Sequence, residues 1–143
     1  MLRQSTPLGV HSDGSRTLMV VFFGANDATA PDYFMHVPLE EYGANLRSIV
    51  RRSQEAMPGV TVVIVTPPPV DEHTLSQFEW YAGRNLQMAS AYAEEAARAA
   101  EATGALLLDL NSLMLSRTNW PNFLGGLHPF YLSSHVPMTV SSN

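Results

Sequence analysis

The chain has 143 residues, of which 45% are hydrophobic and 15% charged, and its formal net charge is −5. This length predicts one globular domain with its own core, and the absence of cysteine excludes disulfide scaffolds, thiolate metal sites and cysteine nucleophiles. The eight basic residues are scattered along the chain, so no basic stripe exists that would bind nucleic acid.

The first predicted element is an irregular segment, residues 1–17. It is polar and interrupted by Pro7, Gly9 and Gly14, so it lacks the apolar core of a signal peptide. Further along, no apolar run approaches the roughly 20 residues that a membrane-spanning helix needs. We therefore expect a cytoplasmic protein that binds neither a membrane nor nucleic acid.

Three apolar runs predict the strands of a parallel sheet. Leu18–Phe23 is rich in β-branched and aromatic residues and stops at Gly24, which is typical of a strand buried on both faces. Val60–Val65 repeats the pattern and ends just before three prolines, which cannot donate to a sheet. Ala105–Leu108 is a shorter third run.

Two longer segments between these runs predict helices. Pro38–Met57 carries apolar residues at helical spacing, with proline suited to the first turn. Ser76–Thr103 opens on a possible capping box, Ser76 with Glu79, and closes at Gly104. Its alanine-rich second half consists of strong helix formers.

The order of these elements is strand, helix, strand, helix, strand, followed by a short predicted helix at Asn111–Ser116. Such alternation favours an α/β fold with right-handed crossovers. Ligands of these sheets bind beyond the carboxyl ends of the strands. The segments in which we expect functional residues are therefore Gly24–Asp27, Thr66–Glu72 and Asp109–Ser112.

Two residues near these positions are candidates for catalysis. Asn26, in the turn Gly24–Asp27, carries an amide that could donate a hydrogen bond to a developing oxyanion, although Gly, Asn and Asp also occur in turns for backbone reasons alone. His128, in a glycine-containing loop, could act as a general base if that loop lies at the strand ends. A lone histidine is, however, more often a solvated surface residue.

A metal site is a weaker alternative. Asp71, Glu72 and His73, together with Asp27 or His36, supply side chains of the kind that bind divalent cations. Consecutive residues point in divergent directions, so clusters of this kind are usually solvated loops. We therefore expect no metal and no other cofactor.

Several segments together carry the motifs of one enzyme family. They are Phe22–Ala28, His36–Tyr42 with Asn45 and Leu46, Val65–Pro69, Leu108–Leu110 with Leu113 and Met114, and Gly126–His128. These segments resemble the isoamyl acetate-hydrolysing esterases of the SGNH (GDSL) hydrolase superfamily, over roughly residues 18–128. The resemblance implies a flavodoxin-like parallel sheet sandwiched by helices, here missing its first strands, and hydrolysis of small carboxylic, acetate-type esters.

The resemblance also implies roles for individual residues. In the family, a serine near the N-terminus attacks the ester carbonyl, a histidine takes its proton, and an aspartate just before that histidine orients it. Carried over to this sequence, His128 is the general base and Asn26 donates to the oxyanion. Gly24 and Asp27 shape the turn that presents Asn26.

The sequence departs from the family at the nucleophile. The Gly-Asp-Ser-Leu block and the block that supplies the oxyanion-hole glycine have no counterpart. The segment most similar to the nucleophile block is Ser12-Asp13-Gly14-Ser15. Ser15 would lie at the amino edge of the sheet, about 20 Å from the carboxyl edge, so we expect it to be an ordinary loop serine. Gly125 stands where the orienting aspartate should be, and residues 129–143 are predicted to form an irregular tail.

Residues 18–128 are predicted to form an SGNH-like domain, and relative to the family both ends of the chain look truncated or replaced. Two functional hypotheses follow. The first is an esterase that is impaired or inactive because the serine and the aspartate are absent. The second is a non-catalytic product that associates with a homologue, a second copy or another protein through the sheet edge beside Leu18–Phe23, which the missing strand leaves open.

Overall fold

The computed structural model describes residues 16–76 and 83–123. Its elements, in chain order, are β1 (Leu18–Phe22), α1 (Leu39–Ala56), β2 (Thr61–Val65), α2 (Glu72–Leu75), α3 (Leu86–Thr103), β3 (Leu106–Leu108), α4 (Leu110–Leu115) and a 3-10 turn (Trp120–Phe123). Three residues singled out from the sequence, Ser15, Gly125 and His128, lie outside the described residues, as do 1–15 and the predicted tail 129–143.

The three strands form one parallel sheet in the order β1-β2-β3. Val20 of β1 lies opposite Val63 of β2, and Val63 lies opposite Leu106 of β3. Each crossover contains a long helix, α1 between β1 and β2 and α3 between β2 and β3. This arrangement confirms the predicted α/β fold, and it places the carboxyl ends of all three strands at one edge of the sheet.

The core lies between the sheet and the two long helices. It contains Tyr42, Leu46 and Val50 of α1, Tyr92, Ala96, Ala99 and Ala100 of α3, and Val21, Val62 and Ile64 of the strands. The two helices also contact each other directly, because Arg47 donates to Glu95 at 2.9 Å. Gly43 makes room for that contact, since a Cβ there would lie 1.8 Å from Glu95 Oε1. Both helices therefore pack on the same face of the sheet.

The prediction that the first strand is buried on both faces was wrong. Val21 is 1% exposed, whereas its neighbours Leu18 and Val20 are 62% and 58% exposed. Successive side chains of a strand point to opposite faces, and α1 and α3 cover only the face that carries Val21. Leu106 and Leu108 of β3 continue the exposed face, which we call the outer sheet face.

The predicted second helix was wrong in its first part. Helix α3 begins at Leu86, where the Asn85 side chain caps it by accepting from the backbone N–H of Met88 at 2.7 Å. Ser76, expected to cap this helix, instead ends the separate short helix α2. Gly83 has a positive φ of 60°, and Asn85 is extended, so neither residue continues a helix.

The remaining boundaries agree with the predictions to within two residues. Gly104, with a φ of 71°, ends α3 in the left-handed conformation that glycine favours. None of the helices within 16–76 and 83–123 combines the length and the apolar character that crossing a membrane requires.

Candidate functional site

The turn after β1, residues 24–29, is stabilised mainly by bonds among its own residues; we call it the Asn26 turn. The carboxylate of Asp27 accepts from the backbone N–H of Gly24 at 3.1 Å. The Gly24 carbonyl accepts from the N–H of Ala28 at 3.0 Å, and the Asp27 carbonyl accepts from that of Thr29 at 2.9 Å. These bonds hold a compact turn at the carboxyl end of β1, and Asn26 is exposed at its tip.

Tyr42 of α1 packs under the start of this turn. Its hydroxyl donates to the carbonyl of Phe23 at 3.1 Å. Gly24 has a φ of 109°, and a Cβ there would lie 2.7 Å from Tyr42 Oη and 3.2 Å from Pro67 Cγ. Only glycine fits this position, because it is the residue that tolerates both the backbone conformation and the close approach.

The electrostatic surroundings keep the Tyr42 hydroxyl protonated. Burial raises the pKa of Tyr42 above its ordinary value of 10.0, and the negative charges of Asp27 and Glu95 raise it further. A smaller effect of the same kind, again led by burial, raises the pKa of Tyr92, whose ring lies 5.0 Å from that of Tyr42. Tyr42 therefore remains a hydrogen-bond donor to the strand end across the physiological range.

Arg84 reaches the Asn26 turn from the other side. Its side chain donates through Nε to the Ala25 carbonyl at 3.3 Å and through Nη2 to Asn26 Oδ1 at 3.1 Å. The residue is only 8% exposed, and this burial lowers the pKa of its guanidinium group, an effect that Tyr33 partly offsets. Sequence reasoning missed Arg84 because it fell inside the predicted second helix; the flanking Gly83 and Asn85 were the signal that a loop ends there.

The ends of β2 and β3 are joined by a second set of hydrogen bonds. Thr66 Oγ1 donates to the carboxylate of Asp109 at 3.1 Å and accepts from the backbone N–H of Asn111 at 2.9 Å. The Asn111 amide donates to the Pro67 carbonyl at 3.2 Å. With Pro67 lying close to Gly24, the three segments expected at the strand ends do converge.

Asp109 has a structural role in this network. Besides Thr66, it accepts from the backbone N–H of Ser112 at 3.0 Å and so caps α4. Burial alone would raise the pKa of Asp109, but the hydrogen bonds from Ser112 and Thr66 outweigh it and hold the pKa below its ordinary value. The carboxylate therefore stays charged and stabilises the junction of the two strands.

The residues of the metal-site hypothesis do not form a cluster in the described structure. Asp71 caps α2 by accepting from Thr74, and the Glu72 carboxylate accepts from the backbone N–H of Leu86 at 2.7 Å. His36 Nδ1 lies 2.8 Å from the carbonyl oxygen of Thr29. Across the two ranges that the structure describes, no three His, Asp or Glu side chains are grouped so that they could hold a metal ion.

Of the predicted site residues, the structure brings together Gly24, Asn26 and Asp27 in a single turn. A groove of about 370 Å³ flanks this turn on the side of α1, with Phe23, Asp27 and Tyr42 in its lining. His128 and Ser15 fall outside the described ranges, so the roles expected of them rest on the sequence. The geometry thus places an exposed side-chain amide, that of Asn26, at the carboxyl end of β1.

Comparison with known proteins identifies similar sequences. Residues 2–130 match the GDSL-like Lipase/Acylhydrolase family. A GDSL esterase/lipase of Arabidopsis thaliana is 36% identical over 125 residues, which cover 80% of this chain and 52% of that protein. The isoamyl acetate-hydrolyzing esterase 1 homologs of Bos taurus and Homo sapiens are 40% and 33% identical, covering 70% and 77% of this chain but 43% and 48% of theirs. The chain spans about half the length of the curated relatives it matches.

Solved structures show the same fold. The lipase/acylhydrolase from Enterococcus faecalis superposes with a TM-score of 0.61 at 23% identity, over 76% of this chain and 50% of that one. A catalytic mutant of Axe2, an acetylxylan esterase from Geobacillus stearothermophilus, gives a TM-score of 0.56 at 24% identity, over 80% of this chain and 52% of that one. The parallel sheet is therefore the corresponding part of a larger flavodoxin-like sheet.

Proposed function

Because the chain belongs to the GDSL-like lipase/acylhydrolase family, we propose that the Asn26 turn is the oxyanion-binding part of a carboxylic ester hydrolase site. The observation that carries this proposal is the exposed Asn26 amide at the carboxyl end of β1. The substrates we propose are small, acetate-type esters, since relatives named isoamyl acetate-hydrolyzing esterase 1 homolog are 33–40% identical to this chain.

In this proposal, Asn26 acts on the transition state of acyl transfer. As a nucleophile attacks the ester carbonyl, negative charge develops on the carbonyl oxygen, and the Asn26 Nδ2 group donates a hydrogen bond to it. One such donor is worth on the order of 10²–10³ in rate. His128 would remove the proton from the nucleophile and then deliver it to the leaving alcohol.

We further propose that hydrolysis by the 143-residue chain is impaired. Its sequence has no Gly-Asp-Ser-Leu block, and Gly125 stands where the family has the orienting aspartate. Removing the aspartate from a catalytic triad costs about 10⁴ in kcat, and removing the nucleophile costs about 10⁶. The missing serine therefore limits the rate, and only a slow hydrolysis by direct attack of water is expected to remain.

A fluorophosphonate probe combined with an ester assay tests this proposal. We expect no labelled serine and slow turnover of a short-chain acetate ester, which Asn26→Ala lowers about 10²-fold. Labelling of any serine, with Ser15 the first position to check, would show that the chain is not impaired. Turnover that Asn26→Ala leaves unchanged would show that the Asn26 turn is not the oxyanion site.

The outer sheet face favours a second candidate function, association with a homologue or with a second copy of this chain. Leu18 and Val20 on β1 and Leu106 on β3 are each more than half exposed, and Val63 of the intervening strand β2 lies between Val20 and Leu106. Contiguous apolar surface of this kind is typical of interaction sites. We expect analytical ultracentrifugation to show dimers that Val20→Glu converts to monomers, whereas a stable, folded wild-type monomer would contradict self-association.

A further inference from the structure

Arg84 is a buried cation that contacts Asn26, the oxyanion donor of the proposed site. It lies 58 residues from Asn26 in sequence and is 8% exposed. Its bond to the Ala25 carbonyl is enough to tie the loop before α3 to the Asn26 turn. The bond to Asn26 Oδ1 also fixes the orientation of the Asn26 side chain, which makes no other hydrogen bond among the described residues.

The chemistry of the two groups fixes the orientation of the amide. An asparagine amide has an oxygen that only accepts and a nitrogen that only donates, whereas a guanidinium group only donates. Facing Arg84, the Asn26 amide must therefore present its oxygen, and the Nδ2 group must point away from the arginine. Within 16–76 and 83–123, Asn26 Nδ2 donates to no other residue, so both of its hydrogens are available.

The loop that carries Arg84 is itself held in place on both sides. Gly83 lies against Ala30, because a Cβ at Gly83 would come within 2.6 Å of the Ala30 Cβ. Asn85, on the other side, caps α3 through its bond to Met88. Arg84 is thus presented to the turn by a fixed backbone and needs little rearrangement to hold the amide.

We infer that Arg84 is a positioning residue for the oxyanion donor: it holds the Asn26 amide with Nδ2 directed to the place where the ester oxyanion would form. A charged donor on Oδ1 also polarises the amide, which strengthens the hydrogen bond that Nδ2 donates. This inference rests on the proposed function for its catalytic meaning. The orientation itself can be measured whether or not the chain hydrolyses esters.

Nuclear magnetic resonance of the full chain, labelled with ¹⁵N at asparagine, measures that orientation. We expect Arg84→Ala to move the Asn26 side-chain amide resonances to the position of an exposed asparagine such as Asn45. The buried Asn111 amide, which donates to Pro67, should not move. Arg47→Ala, which removes the arginine that binds Glu95, is the matched control and should leave Asn26 unchanged.

Two further variants make the result decisive. Arg84→Gln serves if Arg84→Ala does not fold, because glutamine presents both a donor and an acceptor and therefore no longer selects one amide orientation. Free guanidinium added to Arg84→Ala should restore the Asn26 resonances. Unchanged Asn26 resonances in a folded Arg84 variant would overturn the inference, whatever the activity.

The ester assay separates the inference from the proposed function. Arg84→Ala should lower the kcat of the residual hydrolysis about tenfold with little change in KM, and it should have no further effect in an Asn26→Ala background. Additive losses would assign Arg84 a structural role only and would contradict the inference. If Asn26→Ala alone has no effect on turnover, the proposed function fails, while the resonance shifts still decide whether Arg84 orients the amide.

Discussion

Gly24 is the residue on which the geometry of the Asn26 turn depends most. Replacing it with alanine forces a side chain into a φ of 109° and brings the new Cβ within 2.7 Å of the Tyr42 hydroxyl. Backbone strain and overpacking each cost about 1–3 kcal/mol, so we expect Gly24→Ala to lower the free energy of unfolding by roughly 2–6 kcal/mol. Urea denaturation followed by circular dichroism measures this loss.

Gly104 is the matched control for that measurement. It also has a positive φ, 71°, but a Cβ there would meet nothing within 4 Å. Gly104→Ala should therefore cost only the left-handed backbone term, about 1–2 kcal/mol. Equal losses for the two variants would show that Tyr42 does not pack against Gly24 in solution.

Tyr42 makes the stability of the fold sensitive to alkaline pH. Its pKa is raised in the folded protein, first by burial and then by Asp27 and Glu95, so above its ordinary pKa of 10.0 the unfolded chain loses the proton while the folded chain keeps it. The stabilisation is complete below pH 10 and is lost as the pH rises through the raised value. We expect the free energy of unfolding, measured in urea, to fall as the pH increases beyond 10.

Tyr42→Phe tests the origin of this pH dependence. The variant loses the bond to the Phe23 carbonyl, about 1 kcal/mol at neutral pH, and its stability should fall less steeply at alkaline pH. The pKa of Tyr92 is also raised, so part of the decline should persist until Tyr92→Phe is added. A decline of unchanged steepness in Tyr42→Phe would mean that other groups cause it.

The sequence locates one side of the site but not the other. An apolar run followed by Gly24-Ala25-Asn26-Asp27 indicates a strand end and a turn, because both signals are local. Arg84 acts on this turn across 58 residues, and no local pattern encodes that contact. Tyr42 lies in the predicted first helix and is a core residue of α1, but its bond to Phe23 likewise depends on how the helix packs on the sheet.

At the scale of elements, the start of α3 depends on a capping residue. The Asn85 side chain accepts from the backbone N–H of Met88, which would otherwise lack a partner within the helix. We expect Asn85→Ala to lower the free energy of unfolding by about 1 kcal/mol. Gln87→Ala, at the exposed second position of the same helix, should change it by less than about 0.5 kcal/mol. If Asn85→Ala and Gln87→Ala lower the free energy of unfolding equally, Asn85 does not cap the start of α3.

The same residue explains why the predicted second helix was too long. Ser76 and Glu79 have the spacing of a capping box, and the alanine-rich stretch beyond them favours a helix, so a continuous helix was the simplest reading. Gly83 and Asn85 both favour caps and turns over helix interiors, and in the structure they separate α2 from α3. Two competing caps within ten residues cannot be ranked by local propensity alone.

At the scale of the whole molecule, the described sheet is covered on one face only. Three short apolar runs, two of them followed closely by glycine or proline, are enough to predict three parallel strands, because strand composition is a local property. Whether a strand is covered on both faces depends on elements far away in sequence. The chain matches 43–52% of the length of relatives from Arabidopsis thaliana and Bos taurus, so its three strands correspond to only part of a larger fold.

Adjacent valines on β1 test this one-sided core directly. Val21 faces α1 and α3 and is 1% exposed, whereas Val20 faces outward and is 58% exposed. Val21→Ala removes two buried methyl groups and leaves a cavity, so it should lower the free energy of unfolding by about 2 kcal/mol, while Val20→Ala should cost less than about 0.5 kcal/mol in the dissociated monomer. If the two costs are equal in urea denaturation, the outer sheet face is covered in solution. A cost of Val20→Ala that then disappears on dilution would identify a second copy of the chain as the cover, because the stabilisation that association gives increases with protein concentration.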